Sequence, residues 1–156
     1  MIRLNRLTDY AIVVLSQLGR EARAVRTAAQ LSQETGVPLP TVAKLLKSLA
    51  ADHLIVSHRG PAGGYSLGRA PEAISVAEII ASLEGPIALT ACVDGAVAHC
   101  DVESLCPMRG NWEKVNRAIR KALEELTLAE MAAPPLFPAP AAAAGAAKPA
   151  LVGALG

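Results

Sequence analysis

The segment TAAQLSQETGVPLPTVAKLLKSLA, residues 27–50, contains two short helical patterns separated by a glycine. Thr27 and Gln30 have the spacing of a capping box, in which both side chains accept backbone hydrogen bonds at the start of a helix. Gly36 suits the left-handed residue that commonly ends a helix. A second helix is predicted from Thr41 to Asp52, directly after a proline that a first helical turn tolerates.

The second of these helices has two different faces. Apolar residues recur at helical spacing on one side, and polar residues occupy the other. The apolar set is Val42, Leu45, Leu46 and Leu49, and the polar set is Thr41, Lys44, Lys47 and Ser48. Two short helices around a glycine turn, the second with basic and hydroxyl groups outward, predict a helix-turn-helix. That motif places its second helix in the major groove, which makes the polar set candidate DNA contacts.

A β-hairpin is predicted directly after the helix-turn-helix. Residues 54–59, LIVSHR, have a strand pattern, residues 60–64, GPAGG, predict a turn, and residues 65–67 predict the returning strand. A hairpin in this position is typical of the wing of a winged helix, and Arg59 at its tip is a candidate minor-groove contact. The alternative is an ordinary α+β domain that carries a hairpin on its side.

Further helices are predicted on both sides of this segment. One extends from Thr8 to Leu18, and a shorter one begins at a Ser75–Glu78 capping box and extends to Leu83. Thr127–Glu130 predicts a final capped turn. A long helix follows Pro107 and has an apolar stripe formed by Trp112, Val115, Ile119, Ala122 or Leu123, and Leu126. By its spacing, this stripe is compatible both with pairing to a second copy and with packing on the same chain.

The net charge of +1 conceals two halves of opposite sign. Residues 1–70 contain nine basic and four acidic side chains, whereas residues 71–132 contain five basic and ten acidic ones. A basic excess around the helix-turn-helix and the hairpin favours nucleic-acid binding, because phosphates attract it. The sequence has no recognisable nucleophile with its base and no phosphate-binding loop, so neither an enzyme nor a small-molecule substrate is expected.

All three cysteines lie within the 15 residues from Cys92 to Cys106, with Cys100 between them. Clustered thiolates are soft ligands that select zinc, copper(I) or iron–sulfur clusters. Neither interval has the short spacing typical of structural zinc sites, and the wider spacing suits a loop around a cluster. A cluster needs a further ligand, which must come from elsewhere in the chain, from another subunit or from solvent.

The chain is expected to be cytoplasmic, without membrane attachment. No signal-peptide pattern opens it, and an odd number of cysteines is more typical of a reducing compartment than of a disulfide framework. Residues 133–156 include ten alanines, five prolines and one charge, a composition that predicts a disordered tail.

Several segments together resemble the winged-helix transcription regulators typified by IscR and NsrR, and among them the regulators of the SUF iron–sulfur assembly system. The resemblance extends from Met1 to about Met131. It is carried by the three-cysteine loop and by the segments Leu7–Ala11, Val37–Val42, Arg59–Tyr65, Ile74–Ile80 and Cys106–Trp112.

The resemblance implies a homodimer whose long helix crosses to the partner and whose wings contact a palindromic operator in double-stranded DNA. It also implies a 2Fe–2S or 4Fe–4S iron–sulfur cluster, because Cys92, Cys100 and Cys106 match the three family ligands. Some relatives take a fourth ligand from an aspartate of the partner's first helix, and Asp9 occupies that position here. Considered alone, Asp9 complements the dipole of its helix. The implied function is repression of cluster-assembly genes according to cluster status.

Three features depart from the pattern of the relatives. Arg109 replaces a histidine that some of them place three residues after the last cysteine, which excludes that particular ligand. The first cysteine interval is longer than usual in the family. Ala43 and Lys44 occupy positions at which some relatives carry acidic and amide side chains that read bases, so the operator sequence does not transfer.

The expected fold is therefore mainly α: a winged helix-turn-helix with a β-hairpin wing, a cysteine loop and a long C-terminal dimerisation helix. The expected units are a DNA-binding domain at residues 1–70, the cysteine loop and dimerisation helix at residues 71–132, and a tail at residues 133–156. Two alternatives remain open: a regulator with a cluster-free thiol or zinc switch, and an iron–sulfur electron-transfer or scaffold protein that does not bind DNA.

Overall fold

The computed structural model describes residues 3–21, 23–97, 99–108 and 110–134. Arg109 and all but the first two residues of the expected tail lie outside this range. The described chain is mainly helical with one antiparallel β-hairpin, as predicted. Its elements are α1 (Arg6–Gly19), α2 (Ala28–Thr35), α3 (Leu39–Ala51), β1 (Ile55–His58), β2 (Gly64–Leu67), a 3-10 turn (Pro71–Ala73), α4 (Val76–Glu84), a second 3-10 turn (Glu103–Leu105), α5 (Asn111–Glu125) and α6 (Leu128–Met131).

Two helices begin earlier than their patterns predicted. Helix α1 begins two residues before Thr8, because the Asn5 side chain accepts a hydrogen bond from the Leu7 N–H at 3.1 Å and caps the helix there. Thr8 is instead buried within the first turn, where its hydroxyl donates to Glu84 of α4. Helix α3 begins at Leu39, with Pro40 inside its first turn.

The three predicted capping boxes are all present. The N-cap residues are Thr27 for α2, Ser75 for α4 and Thr127 for α6. In each box the hydroxyl accepts from the backbone N–H three residues later, and that later side chain accepts from the N-cap N–H. Because these bonds connect residues three apart in sequence, the local pattern suffices to predict them.

One hydrophobic core joins the N-terminal helices to the C-terminal end of the described chain. It contains side chains of α1, α2, α3 and β1 together with Ile74, Ile79 and Ile80 around α4, and Leu128 of α6 is completely buried in it. The core therefore includes residues on both sides of position 70. The division into a DNA-binding unit and a sensing unit stays a prediction about function.

Two short backbone bridges close this arrangement. Arg26, between α1 and α2, exchanges hydrogen bonds of 2.9 and 2.8 Å with Tyr65 on the outer edge of β2. In the second bridge, the Val76 N–H donates to Leu126 at 2.9 Å and the Leu128 N–H donates to Ile74 at 2.8 Å. The second bridge fixes the end of α5 and all of α6 to the start of α4. No helix in the described ranges combines the length and apolar composition needed to span a bilayer.

Candidate nucleic-acid interface and cysteine loop

The packing of α3 presents its polar face to solvent. Its four apolar residues, predicted to face inward, are at most 1% exposed. On the other side Lys44, Lys47 and Ser48 are exposed, and Thr41 is half-buried. Neither lysine forms an ion pair with another residue of the described chain. Both positive charges are therefore available to a polyanion.

The wing places Arg59 in an exposed turn beyond the two paired strands. A side chain at Gly63 would bring its Cβ to 2.5 Å from the His58 carbonyl oxygen and 2.8 Å from that of Gly60, so this tight turn requires a glycine. Across the strands, His58 Nε2 and Ser66 Oγ lie 2.8 Å apart and share a hydrogen bond. These contacts hold the base of the turn and leave the guanidinium of Arg59 accessible.

Arg26 attaches the wing to the helix-turn-helix. Its backbone pairs with Tyr65, and its guanidinium forms ion pairs with Glu21 at 2.9 Å and with Glu34 of α2 at 3.0 Å. The Cβ of a larger residue at Gly64 would approach the Arg26 carbonyl oxygen to 2.6 Å. The sequence pattern did not predict this attachment, because a single bridged residue is too short to show strand alternation.

The three cysteines are free thiols, and each is half-buried. In the part of the chain that the structure describes, no three His, Cys, Asp or Glu side chains are close enough together to hold a metal ion. Asp9 is exposed in the first turn of α1. A single chain therefore does not assemble Cys92, Cys100, Cys106 and Asp9 into one site, although soft thiolates have the donor chemistry that a cluster requires. These ligands stay a prediction.

The distal part of the loop surrounds a shallow cavity of about 250 Å³. His99, Cys100, Asp101, Glu103 and Ser104 line it. Two backbone hydrogen bonds shape this part of the loop. The Glu103 N–H donates to the Cys100 carbonyl at 3.2 Å, and the Cys106 N–H donates to the Glu103 carbonyl at 3.3 Å. Cys100 and Cys106 thus lie at the two ends of one short turn.

The proximal part of the loop is attached to α5 by side chains. The Leu89 N–H donates to Asn116 Oδ1 at 3.1 Å, and the Asp94 N–H donates to Glu113 Oε2 at 3.1 Å. The sequence pattern did not predict either acceptor. A signal for one of them exists, because Asn116 is aligned at helical spacing with the apolar residues Ile119 and Leu123.

Comparison with known proteins identifies the family. A family model described as "Iron-dependent Transcriptional regulator" matches residues 4–134. The chain belongs to the Rrf2 family. Members of this family are transcriptional regulators rather than enzymes, and the expectation of a non-enzymatic winged-helix regulator is confirmed.

Individual relatives place this Rrf2 chain among helix-turn-helix regulators. It is 29% identical over 133 residues to the HTH-type transcriptional regulator Rv1287 of Mycobacterium tuberculosis, covering 84% of this chain and 81% of that protein. The structure of CymR, the global cysteine regulator of B. subtilis, is similar with a TM-score of 0.68 at 26% identity, covering 85% of this chain and 97% of CymR. T. potens IscR is similar with a TM-score of 0.61 at 26% identity, covering 83% and 85% respectively.

Proposed function

We propose that this Rrf2 chain is a cytoplasmic, homodimeric repressor of iron–sulfur assembly genes that responds to cluster status. It binds a palindromic operator in double-stranded DNA through α3 and the wing. Its 2Fe–2S or 4Fe–4S cluster is held by Cys92, Cys100 and Cys106, with the partner subunit's Asp9 as fourth ligand.

The observation that carries the DNA-binding part is the exposure of basic side chains on both α3 and the wing. Lys44 and Lys47 are accessible and unpaired within the described chain, and Arg59 projects from the adjacent turn. Lysine and arginine side chains bind phosphates and release condensed counterions, so each contact adds salt-dependent affinity. Because the apolar face of α3 is buried, Lys44 and Lys47 on its other face point to solvent.

The cluster part is supported by the chemistry of the loop and by the family. Three thiols within 15 residues, each half-buried, provide soft donors that solvent can reach. The description of the family as iron-dependent agrees with this chemistry. When bound, the cluster supplies a group that is sensitive to iron supply and to oxidants. The chain itself contributes the thiolates and the fixed position of Cys92 beside α5.

A specific observation also favours a second candidate, a cluster-free thiol switch. The three thiols are not gathered into a metal-binding group in the described chain. The fold is also similar to that of CymR, which is described as a global cysteine regulator. In this alternative, a peroxide would oxidise two of the thiols to a disulfide and be reduced to water, and the disulfide rather than cluster loss would change the loop.

Anaerobic purification with analysis of iron and sulfide separates the two candidates. We expect a brown protein with visible absorption and with iron and sulfide in equal amounts, and loss of this absorption in the variant Cys92→Ala. The loaded and cluster-free forms should differ in affinity for DNA from the chain's own promoter. Colourless protein that contains no iron or sulfide and has reactive thiols, when purified under strictly anaerobic conditions, would instead support the thiol switch.

The DNA-binding part is tested by two substitutions at different elements. Lys44→Ala and Arg59→Ala should each weaken binding and lower the slope of log affinity against log salt by about 2 for the dimer, because each removes one phosphate contact from each subunit. Lys114→Ala is the matched control, since it removes an exposed lysine from a different helix, α5. Fluorescence anisotropy at several salt concentrations measures the slope. Slopes that are unchanged in both variants would show that DNA binds elsewhere.

A further inference from the structure

Two side chains of α5 hold the short segment that contains the first cysteine. Asn116 accepts from the Leu89 N–H and Glu113 accepts from the Asp94 N–H, both at 3.1 Å. Leu89 and Asp94 lie on either side of Cys92. Within the segment, Thr90 Oγ1 and Cys92 Sγ are 3.3 Å apart and share a weak hydrogen bond. The segment is therefore held at both ends by acceptors one helical turn apart.

A buried asparagine at position 116 lowers the stability of the fold unless its side chain makes a specific contact. Its side chain is 0% exposed, and its Nδ2 is buried without a hydrogen-bond acceptor in the described chain. A buried amide N–H without a partner is unfavourable. An apolar side chain at this position would continue the row formed by Ile119 and Leu123 and leave no unpaired Nδ2. The contribution that an apolar residue cannot replace is the hydrogen bond that Asn116 Oδ1 accepts from the Leu89 N–H.

We infer that Asn116 and Glu113 form a clasp that positions Cys92 on α5 and couples the state of its thiol to that helix. The clasp consists of these two residues and the amides of Leu89 and Asp94. The clasp adds a route of regulation to the proposed function. Its biological role therefore rests on that function. Helix α5 also carries the exposed apolar residues Trp112 and Val115, so a change at Cys92 reaches that surface through two hydrogen bonds.

The rate of alkylation of Cys92 tests the clasp in the full chain, reduced and free of iron. A protease that cleaves on the N-terminal side of aspartate places the three cysteines on separate peptides, because Asp94 and Asp101 lie between them. We expect Glu113→Ala and Asn116→Leu to accelerate alkylation of Cys92 by iodoacetamide about fivefold, the change that the loss of one modest hydrogen bond allows. Alkylation of Cys106 should change less than twofold. Glu113→Gln retains an acceptor oxygen and should restore the wild-type rate.

Hydrogen exchange measures the coupling to α5 directly. Alkylation of Cys92 in the wild type should raise exchange of α5 amides around residues 113–117, and Glu113→Ala should abolish this response. Equal acceleration at all three cysteines, or no acceleration in either variant, would overturn the clasp. Both readouts use protein without a cluster or DNA, so they fail or succeed separately from the proposed function. Glu113 lies near the surface, so its variants remain informative if Asn116→Leu does not fold.

Discussion

Glu78 illustrates how a single residue can stabilise an element and respond to pH. Its carboxylate accepts from the Ser75 N–H at 2.9 Å and from Arg69 at 2.8 Å. Partial burial alone would raise the pKa of Glu78, but the bonds from Ser75 and Arg69 outweigh it and hold the pKa below its ordinary value. A carboxylate with a lowered pKa stabilises the fold above its ordinary pKa, and this contribution disappears as the pH falls through the lowered value.

We therefore expect Glu78→Gln to lower stability near neutral pH and to flatten the acid side of the stability profile. Urea unfolding midpoints between about pH 7 and about pH 3 measure the difference, which should shrink toward the acid end. Glu72→Gln, an exposed change in the preceding 3-10 turn, is the matched control. A constant difference between Glu78→Gln and the wild type at every pH would contradict the assignment.

Single residues also mark what could be predicted from sequence. The outward positions of Lys44 and Lys47 follow from a helical period that the core enforces, so they were predictable. The burial of Asn116 follows from its alignment with Ile119 and Leu123, but its hydrogen bond was not predictable, because the donor is the backbone of Leu89, 27 residues away. Neither spacing nor composition encodes a long-range bond between a side chain and a backbone amide.

At the scale of elements, structure that depends on neighbouring residues was predictable, and contacts between distant segments were not. The helices, the hairpin and all three capping boxes follow from patterns within a few residues. The attachment of Arg26 to Tyr65 and of Leu128 to Ile74 depends on tertiary contacts between distant segments. The sequence correctly indicated a capped turn at Thr127, but it did not show that this turn completes the core of the N-terminal helices.

Helix α6 is predicted to stabilise the whole fold although it contains only four residues. Leu128 is completely buried against the core, so Leu128→Ala should cost about 2–5 kcal/mol of unfolding free energy through lost contacts and a cavity. Met131 of the same helix is half exposed, and Met131→Ala should change stability by less than about 0.5 kcal/mol. Chemical denaturation followed by circular dichroism compares the two. Equal effects would show that α6 only covers the surface.

At the scale of the whole molecule, the two charged halves of the chain contribute different elements to the fold. The accessible lysines of α3 and the arginine of the wing lie in the basic half. Helix α5 carries its own charges in ion pairs along its length, such as Arg120–Glu124 and Lys121–Glu125. Pairs of this kind contribute little stability, but they leave the surface of α5 close to neutral. The basic side chains proposed to contact DNA and the exposed apolar side chains of α5 therefore belong to different elements.

The exposed stripe of α5 makes the proposed dimer testable. Trp112, Val115 and Leu126 are 41 to 43% exposed on one side of the helix and its end. Ile119 lies half-buried beside them, whereas Asn116 and Leu123 face the chain's own core. The same helix thus packs on its own chain along one row and leaves a neighbouring apolar row uncovered. Because these side chains are already more than half covered, burying the rest of each one in a second copy contributes about 0.6–1.3 kcal/mol.

Val115→Glu places a charge in the middle of this uncovered row and should dissociate the dimer, because a carboxylate in an apolar interface has no partner. Sedimentation velocity should show a monomer in place of a dimer at micromolar concentration. Affinity for a palindromic operator should fall at least about tenfold, because each monomer then binds one half-site without the other. Lys114→Ala changes the charge by the same single unit at an adjacent exposed position, and it should remain dimeric and bind DNA normally. If Val115→Glu stays dimeric, the chains associate through another surface and the uncovered row has a different partner.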